Sequence, residues 1–327
     1  MDQSNSSNKV MNLADAIRKY VQDGSHICFS GFTVTRNPTA AIREIIRQGI
    51  KDLHVYTHSY GQGTDELIGA GCVSRVETSY GGYGHHAPTA IRYAKAIKEE
   101  KIKFEDYTNF QMVLRFHAGA LGVPFLPVRS SFGTDIVEKW GFSKEFRKKD
   151  PKIPDEKIIE MDNPFHNWCD TKKVMLVPAI NVDVAVMHVQ KADREGTCRI
   201  IGLTYADIDE AKSARDVIIT CEEVVSKEEL RKDPGANQLS LLNVSAVVHV
   251  PYGAYPTACY QYYDYDSLFI NDYVKDAKDD GKFFKYLDKY VYGVKNHDEF
   301  LELIGSERLE TIKADPILGY AKGLNRK

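Results

Sequence analysis

The stretch from His26 to Arg36, HICFSGFTVTR, narrows the folds open to this chain. Ile27, Cys28 and Phe29 read as the end of a short buried strand. Ser30-Gly31-Phe32-Thr33 reads as a turn with glycine at its sharpest point. A helix is predicted next, with Asn37 as N-cap and Pro38 at the first helical position. Ala41, Ile42, Ile45 and Ile46 give it an apolar face at helical spacing. Strand, glycine turn and helix together place backbone N–H groups and a helix N-terminus at one end of a sheet. An open α/β sheet takes its ligand there. Taken alone, the turn reads better as a βα connection without a ligand.

The unit recurs along the chain. Helices are predicted at residues 9–23, 39–48, from 65, and at 90–100, alternating with strands at 25–30, 53–57 and 73–79. A short strand at 104–107, a helix at 110–120 and a strand at 122–127 follow, then an irregular section over 130–169, partly helical at 134–148. Residues 173–178 and 182–189 are read as restarting the sheet. The second of these, VDVAVMHV, is nearly continuous in apolar residues, as a strand covered on both faces is. An edge at 200–203, a strand at 216–222, a short helix capped by Ser226 and a strand at 244–250 complete the alternation. The fold class is therefore α/β, an open, mostly parallel sheet with helices on both faces. No linker divides the chain, so residues 1–327 read as one domain: a core of about 9–254 and a helical C-terminal extension of about 255–327.

With 43 basic and 46 acidic residues the formal charge is −3, which gives no reason to expect a nucleic-acid partner. No apolar run approaches the ~20 residues of a membrane span. The six cysteines are scattered, with no CxxC, so reduced thiols and a cytoplasmic location are expected. Three loops after strands carry glycines: Ser30-Gly31-Phe32, Gly61-Gln62-Gly63 and Tyr80-Gly81-Gly82-Tyr83-Gly84. None is a dinucleotide or P-loop motif, and no GxSxG is present. His85-His86 invites a metal, but adjacent residues point in different directions, and they read as loop histidines with no metal site. Glu105 and Asp106 face opposite sides of a strand and read as one solvent-facing charge and one cap. Cys28 reads as core rather than nucleophile. Binding loops are thus present without a convincing nucleophile or base.

Further motifs carry a family pattern. They include Arg36-Asn37-Pro38, Arg47-Gln48-Gly49-Ile50-Lys51-Asp52-Leu53 and Ser79-Tyr80-Gly81-Gly82. The block from Ala118 to Pro127, Asp183-Val184-Ala185 with His188, and Ala192-Asp193-Arg194-Glu195-Gly196 follow in order. Glu222-Glu223-Val224-Val225, Asn163-Pro164-Phe165 and Pro251-Tyr252-Gly253-Ala254-Tyr255-Pro256 complete the set. In this order and spacing the chain resembles the A (alpha) subunits of class I CoA-transferases, most closely the glutaconate branch, over nearly its whole length. The resemblance implies a fold shared with sugar-phosphate isomerases and a B-subunit partner in a heterotetramer or larger. It implies CoA thioesters as substrates and no bound cofactor. CoA would pass from acetyl-CoA or a similar acyl-CoA to a short dicarboxylic acid of the glutaconate or 2-hydroxyglutarate type. The nucleophile would be a glutamate of the B subunit, forming an acyl anhydride and then a glutamyl-CoA thioester. Asn109 stands where many relatives carry a glutamine, and inherits an oxyanion or thioester contact. Gly31, Phe32, Thr33, Tyr80, Gly81 and Gly82 would line the acyl pocket. Arg36 would pair the distal carboxylate. Two other outcomes stay open: a ring-cleaving CoA-thioester hydrolase or decarboxylase of the same family, and a regulatory ligand-binding protein of the isomerase-like fold.

Overall fold

The computed structural model describes residues 8–323. Its strands are β1 (His26–Phe29), β2 (Leu53–Tyr60), β3 (Val73–Gly81), β4 (Lys103–Asp106), β5 (Phe125–Val128), β6 (Ile159–Asp162), β7 (Lys173–Pro178), β8 (Val182–Asp193), β9 (Cys198–Arg199), β10 (Ala214–Val225) and β11 (Ala246–His249). The main sheet runs in the order β11-β10-β8-β1-β2-β3-β4. Every pair along that path is parallel, and β9 pairs antiparallel with β8. The chain moves outward from β1 to β4, then returns to lay β8 on the other side of β1. The strand order therefore reverses between β1 and β8, and such a switch point opens a crevice at the C-terminal strand ends.

Side-chain parity explains why β1 is buried throughout. Ile27 and Phe29 join Ala41, Ile42 and Ile45 of the helix Thr39–Arg47 on one face. Cys28 meets Met112 and Phe116 of the helix Asn109–Leu121 on the other. The C-terminal segment adds helices Ser267–Ala277, Asp280–Leu287, His297–Ile304 and Ser306–Ile312. Phe269, Tyr273, Phe283, Tyr286 and Phe300 share one apolar cluster with Ile27 and Phe29. The extension thus covers a face of the central sheet. No helix among the described residues is long and apolar enough to cross a membrane.

Four local expectations are corrected. Residues 173–178 do not restart the main sheet; β7 pairs antiparallel with β5 and β6 in a separate three-stranded sheet. Val128, Met175 and Val177 build a small core of their own there, and Pro127 sits on an edge strand where no ladder donor is missed. The edge placed at 200–203 is instead the two-residue β9. Asn37 is not the N-cap, because the helix begins at Thr39 with Pro38 before it and no side-chain cap. Its amide binds Thr35 O at 3.2 Å, closing the preceding turn rather than the helix. Glu105 is buried rather than solvent-facing. It accepts from Tyr107 Oη at 2.6 Å and Phe142 N at 3.0 Å and pairs with Arg147.

Candidate active site at the strand switch point

Gly31 has φ +96°, and a Cβ there would lie 2.4 Å from Thr35 O, so the turn after β1 requires glycine. Its N–H does not face an open pocket. It donates to Asp207 Oδ1 at 2.7 Å, and Asp207 opens the helix Asp207–Lys212 beyond β8. Phe32 N donates to Thr35 O at 2.9 Å. The two backbone donors expected to line an acyl pocket are both occupied, and Phe32 offers its ring instead. That ring stacks on Tyr205 (4.9 Å, 14°) and lies 5.5 Å from His58. Phe32 and Tyr205 therefore meet in direct ring contact, joining the β1 turn to the segment after β9, where Leu203 is 73% exposed.

Arg36 does not reach into the crevice. Buried to 1%, it donates to Asp207 Oδ2 at 2.5 Å, Leu203 O at 2.9 Å and His188 O at 3.2 Å. Burial opposes its charge, but Asp207 outweighs that and holds the guanidinium above its usual range. The fork expected for a substrate carboxylate is filled by the protein, and Arg36 leaves the set of substrate-binding candidates. Its role is structural, to join the β1 turn to the segment after β9.

Asn109 lies at the same strand ends. It is the first residue of its helix, whose N-terminus is fixed by a reciprocal Thr108–Gln111 capping box. Its Oδ1 accepts from Ser79 Oγ at 2.5 Å and Ser59 Oγ at 3.3 Å, at the ends of β3 and β2. Ser59 donates to the amide oxygen, while the single proton of Ser79 is shared between that oxygen and the His58 carbonyl; together they turn the amide oxygen inward. Its Nδ2 donates to no protein acceptor among the described residues. An exposed amide N–H at a helix N-terminus, where the dipole favours negative charge, is a donor suited to an oxyanion.

The glycines of the other loops allow close packing. A Cβ on Gly81 would lie 2.3 Å from the Tyr60 hydroxyl, and one on Gly82 would lie 2.5 Å from Pro88 O and 2.6 Å from the Tyr80 hydroxyl. Tyr80 is half-buried at the end of β3. Thr33, at φ +48°, ties the β1 loop to β2 by donating to Ser59 O at 3.3 Å. The structure thus gathers Phe32, Thr33, Ser59, Ser79, Tyr80 and Asn109 at adjoining strand ends. Sequence reasoning missed Ser59, Ser79, Tyr205 and His58. Ser79 was visible only as part of the motif Ser79-Tyr80-Gly81-Gly82, and nothing marked His58 and Ser59, which close β2 just before Gly61.

His58 is half-buried, and burial holds its imidazole below its usual range although Asp207 pulls the other way. Cys28 lies away from this chemistry, fully buried with its thiol pushed well up by burial. Two side-chain groups have metal-compatible spacing: His26, His54 and Asp150, and His188, Glu222 and Cys259. In both, the imidazoles are engaged by protein. His26 meets Tyr56 and Asp150, His54 meets Glu77 and Tyr56, and His188 meets Thr220 and Glu222. His85 and His86 stack ring on ring at 4.0 Å, with His86 Nδ1 2.9 Å from Asn271 Oδ1.

The sequence pattern of the coenzyme A transferase family matches residues 10–248. The chain is 43% identical to the A subunit of glutaconate CoA-transferase from Acidaminococcus fermentans, over 95% of this chain and 97% of that one. It is 31% identical to the A subunit of 3-oxoadipate CoA-transferase from Pseudomonas knackmussii, over 89% and 96%. The crystal structure of glutaconate coenzyme A-transferase from A. fermentans matches with a TM-score of 0.92, covering 96% of this chain and 98% of that one.

Proposed function

The chain belongs to the coenzyme A transferase family, and from that premise we propose that it is the A subunit of an enzyme moving CoA from acetyl-CoA, or a similar acyl-CoA, to a short dicarboxylic acid of the glutaconate or 2-hydroxyglutarate type. The observation that carries this reading is a crevice with an oriented amide donor and an aromatic wall, where the nearby carboxylate of Asp207 is already bound to Gly31 and Arg36. Such a half-site receives an acyl group and leaves the nucleophile to a B subunit.

In this mechanism the acyl-CoA carbonyl is attacked by a glutamate of the B subunit. The CoA thiolate leaves, and an acyl–glutamyl anhydride remains. The thiolate then attacks the glutamyl carbonyl, releasing the first carboxylate and forming a glutamyl-CoA thioester. The acceptor carboxylate enters by the reverse of these two steps, so charge and atoms balance without any further reactant. Asn109 Nδ2 donates to the oxygen that gains charge at each addition. Phe32, Thr33 and the Tyr80-Gly81-Gly82 loop shape the acyl pocket.

Co-expression with the product of the adjacent gene, co-purification, and a CoA-exchange assay with acetyl-CoA and glutaconate test the reading. Transfer by the pair and none by this chain alone is the expected result. Release of the acyl group to water, with no carboxylate accepting CoA, would replace it with the hydrolase branch. Asn109 already argues against that branch, because an amide cannot act as a general base.

A further inference from the structure

His58 lies in the same crevice, with a ring whose two nitrogens meet different surroundings. The Phe32 ring is 5.5 Å away, and the His58 carbonyl accepts from Ser79 Oγ, the hydroxyl that also orients Asn109. Nδ1 is sealed from solvent with no partner. Nε2 is not among the sealed atoms and bonds to no described residue. A neutral imidazole carries one N–H. Nδ1 is unpartnered in either tautomer, but only an N–H on Nε2, the side left open, can find an acceptor. Burial keeps the ring neutral at physiological pH. The result is a fixed donor on a rigid strand end, one strand away from Ser79 and backed by an aromatic ring. Arg36, the cation expected to read a carboxylate, is closed off by Asp207.

We propose that His58 is a specificity-determining residue whose Nε2–H donates to the distal carboxylate of the acceptor acid, while Asn109 serves the reacting carbonyl. This rests on the dicarboxylate-transfer reading above. A neutral donor suits a site that must also release its product, since it binds an anion without a full ion pair.

The test uses the assembled A–B complex. His58→Phe keeps the ring contact with Phe32 and removes the donor; His58→Gln restores an N–H. Glutarate and acetate are titrated calorimetrically without acyl-CoA, and kcat and KM are measured for glutaconate and acetate as acceptors. His58→Phe is expected to weaken glutarate binding and raise the glutaconate KM by about 10- to 100-fold more than the corresponding acetate values, with His58→Gln recovering part of the loss. Equal losses for both acids would reveal a merely structural residue and overturn the proposal, as would no loss, or no glutarate binding by the wild-type complex. If His58→Phe does not assemble, wild-type crystals soaked in glutarate decide. A carboxylate oxygen within about 3.2 Å of Nε2 upholds the assignment, and one elsewhere overturns it. A wild-type complex that transfers no CoA to glutaconate would sink the proposed function and this inference with it. Glutaconate transfer indifferent to His58→Phe would sink this inference alone and leave the proposed function standing.

Discussion

Asp207 serves two donors that no short sequence window connects. One oxygen holds the Gly31 N–H and the other the Arg36 guanidinium, and the carboxylate is fully buried. Asp207→Asn leaves that guanidinium buried without its counter-charge, and the expected loss is about 3–5 kcal/mol of stability. Urea unfolding at neutral pH reads it directly, and a change under about 1 kcal/mol would show that the pair is dispensable. Asn109→Ala belongs to the opposite class. Its side chain is exposed, so the unfolding midpoint should hardly move, while CoA transfer by the A–B pair should fall about 10²–10³-fold. Parallel losses of stability and rate would remove Asn109 from the oxyanion role. At this scale the sequence was a partial guide. Asn109 stood out through the family pattern, which named the residue but not the serine hydroxyls beside its amide. Arg36 misled because its local context, Thr-Arg-Asn-Pro, displays a charge but not a partner 171 residues away. His58 had no motif around it at all, and only the fate of its two nitrogens distinguishes it.

Loops and strands are held together by backbone approaches that a single methyl group would prevent. A Cβ on Gly61 would lie 1.9 Å from Thr33 O, a backbone atom that cannot swing aside. Gly61→Ala should push the β1 and β2 loops apart, cost about 1–3 kcal/mol and lower transfer by at least about 10-fold. Gly49→Ala meets nothing within 4 Å and suffers only from its φ of +71°, so it should cost about 1 kcal/mol and spare transfer. Thermal unfolding of the two variants beside the exchange assay separates the effects; equal activities would refute the loop argument. The elements themselves were largely legible, since β1, β2, β8 and the first helices follow directly from apolar periodicity. The misplacement of β7 has a plain cause. An apolar run states that a strand is buried and not which strand lies beside it, and here the connections deliver it to β5 and β6.

Across the whole molecule, neutral buried histidines set the acid limit. Burial, then the neighbouring His54, brings His26 down to about 4 against the opposing pull of Asp150. Burial brings His297 to about 3, and His54 is lowered chiefly by burial too. The unfolded chain protonates these rings near pH 6.5 and the native chain does not, so between those values the unfolded state binds more protons. Stability is therefore full above about pH 6.5 and falls as pH drops toward 4. A urea midpoint that stays level from pH 7 to pH 4 would contradict this. The order of the central sheet was less legible than its composition, because a parallel sheet with β1 at its centre depends on which way the chain turns after β4. The alternation of strands and helices establishes the class but not that turn.

Asp207 also bears on how the protein comes into being. It lies 176 residues beyond the glycine it holds, and Tyr205, which faces Phe32, comes with it. On the ribosome the first loop emerges early, while its clamp and the opposite wall follow only after more than half the chain has been made. A growing chain carries a sheet edge without a pocket, and the crevice closes late, when there is a nearly complete protomer to offer a partner.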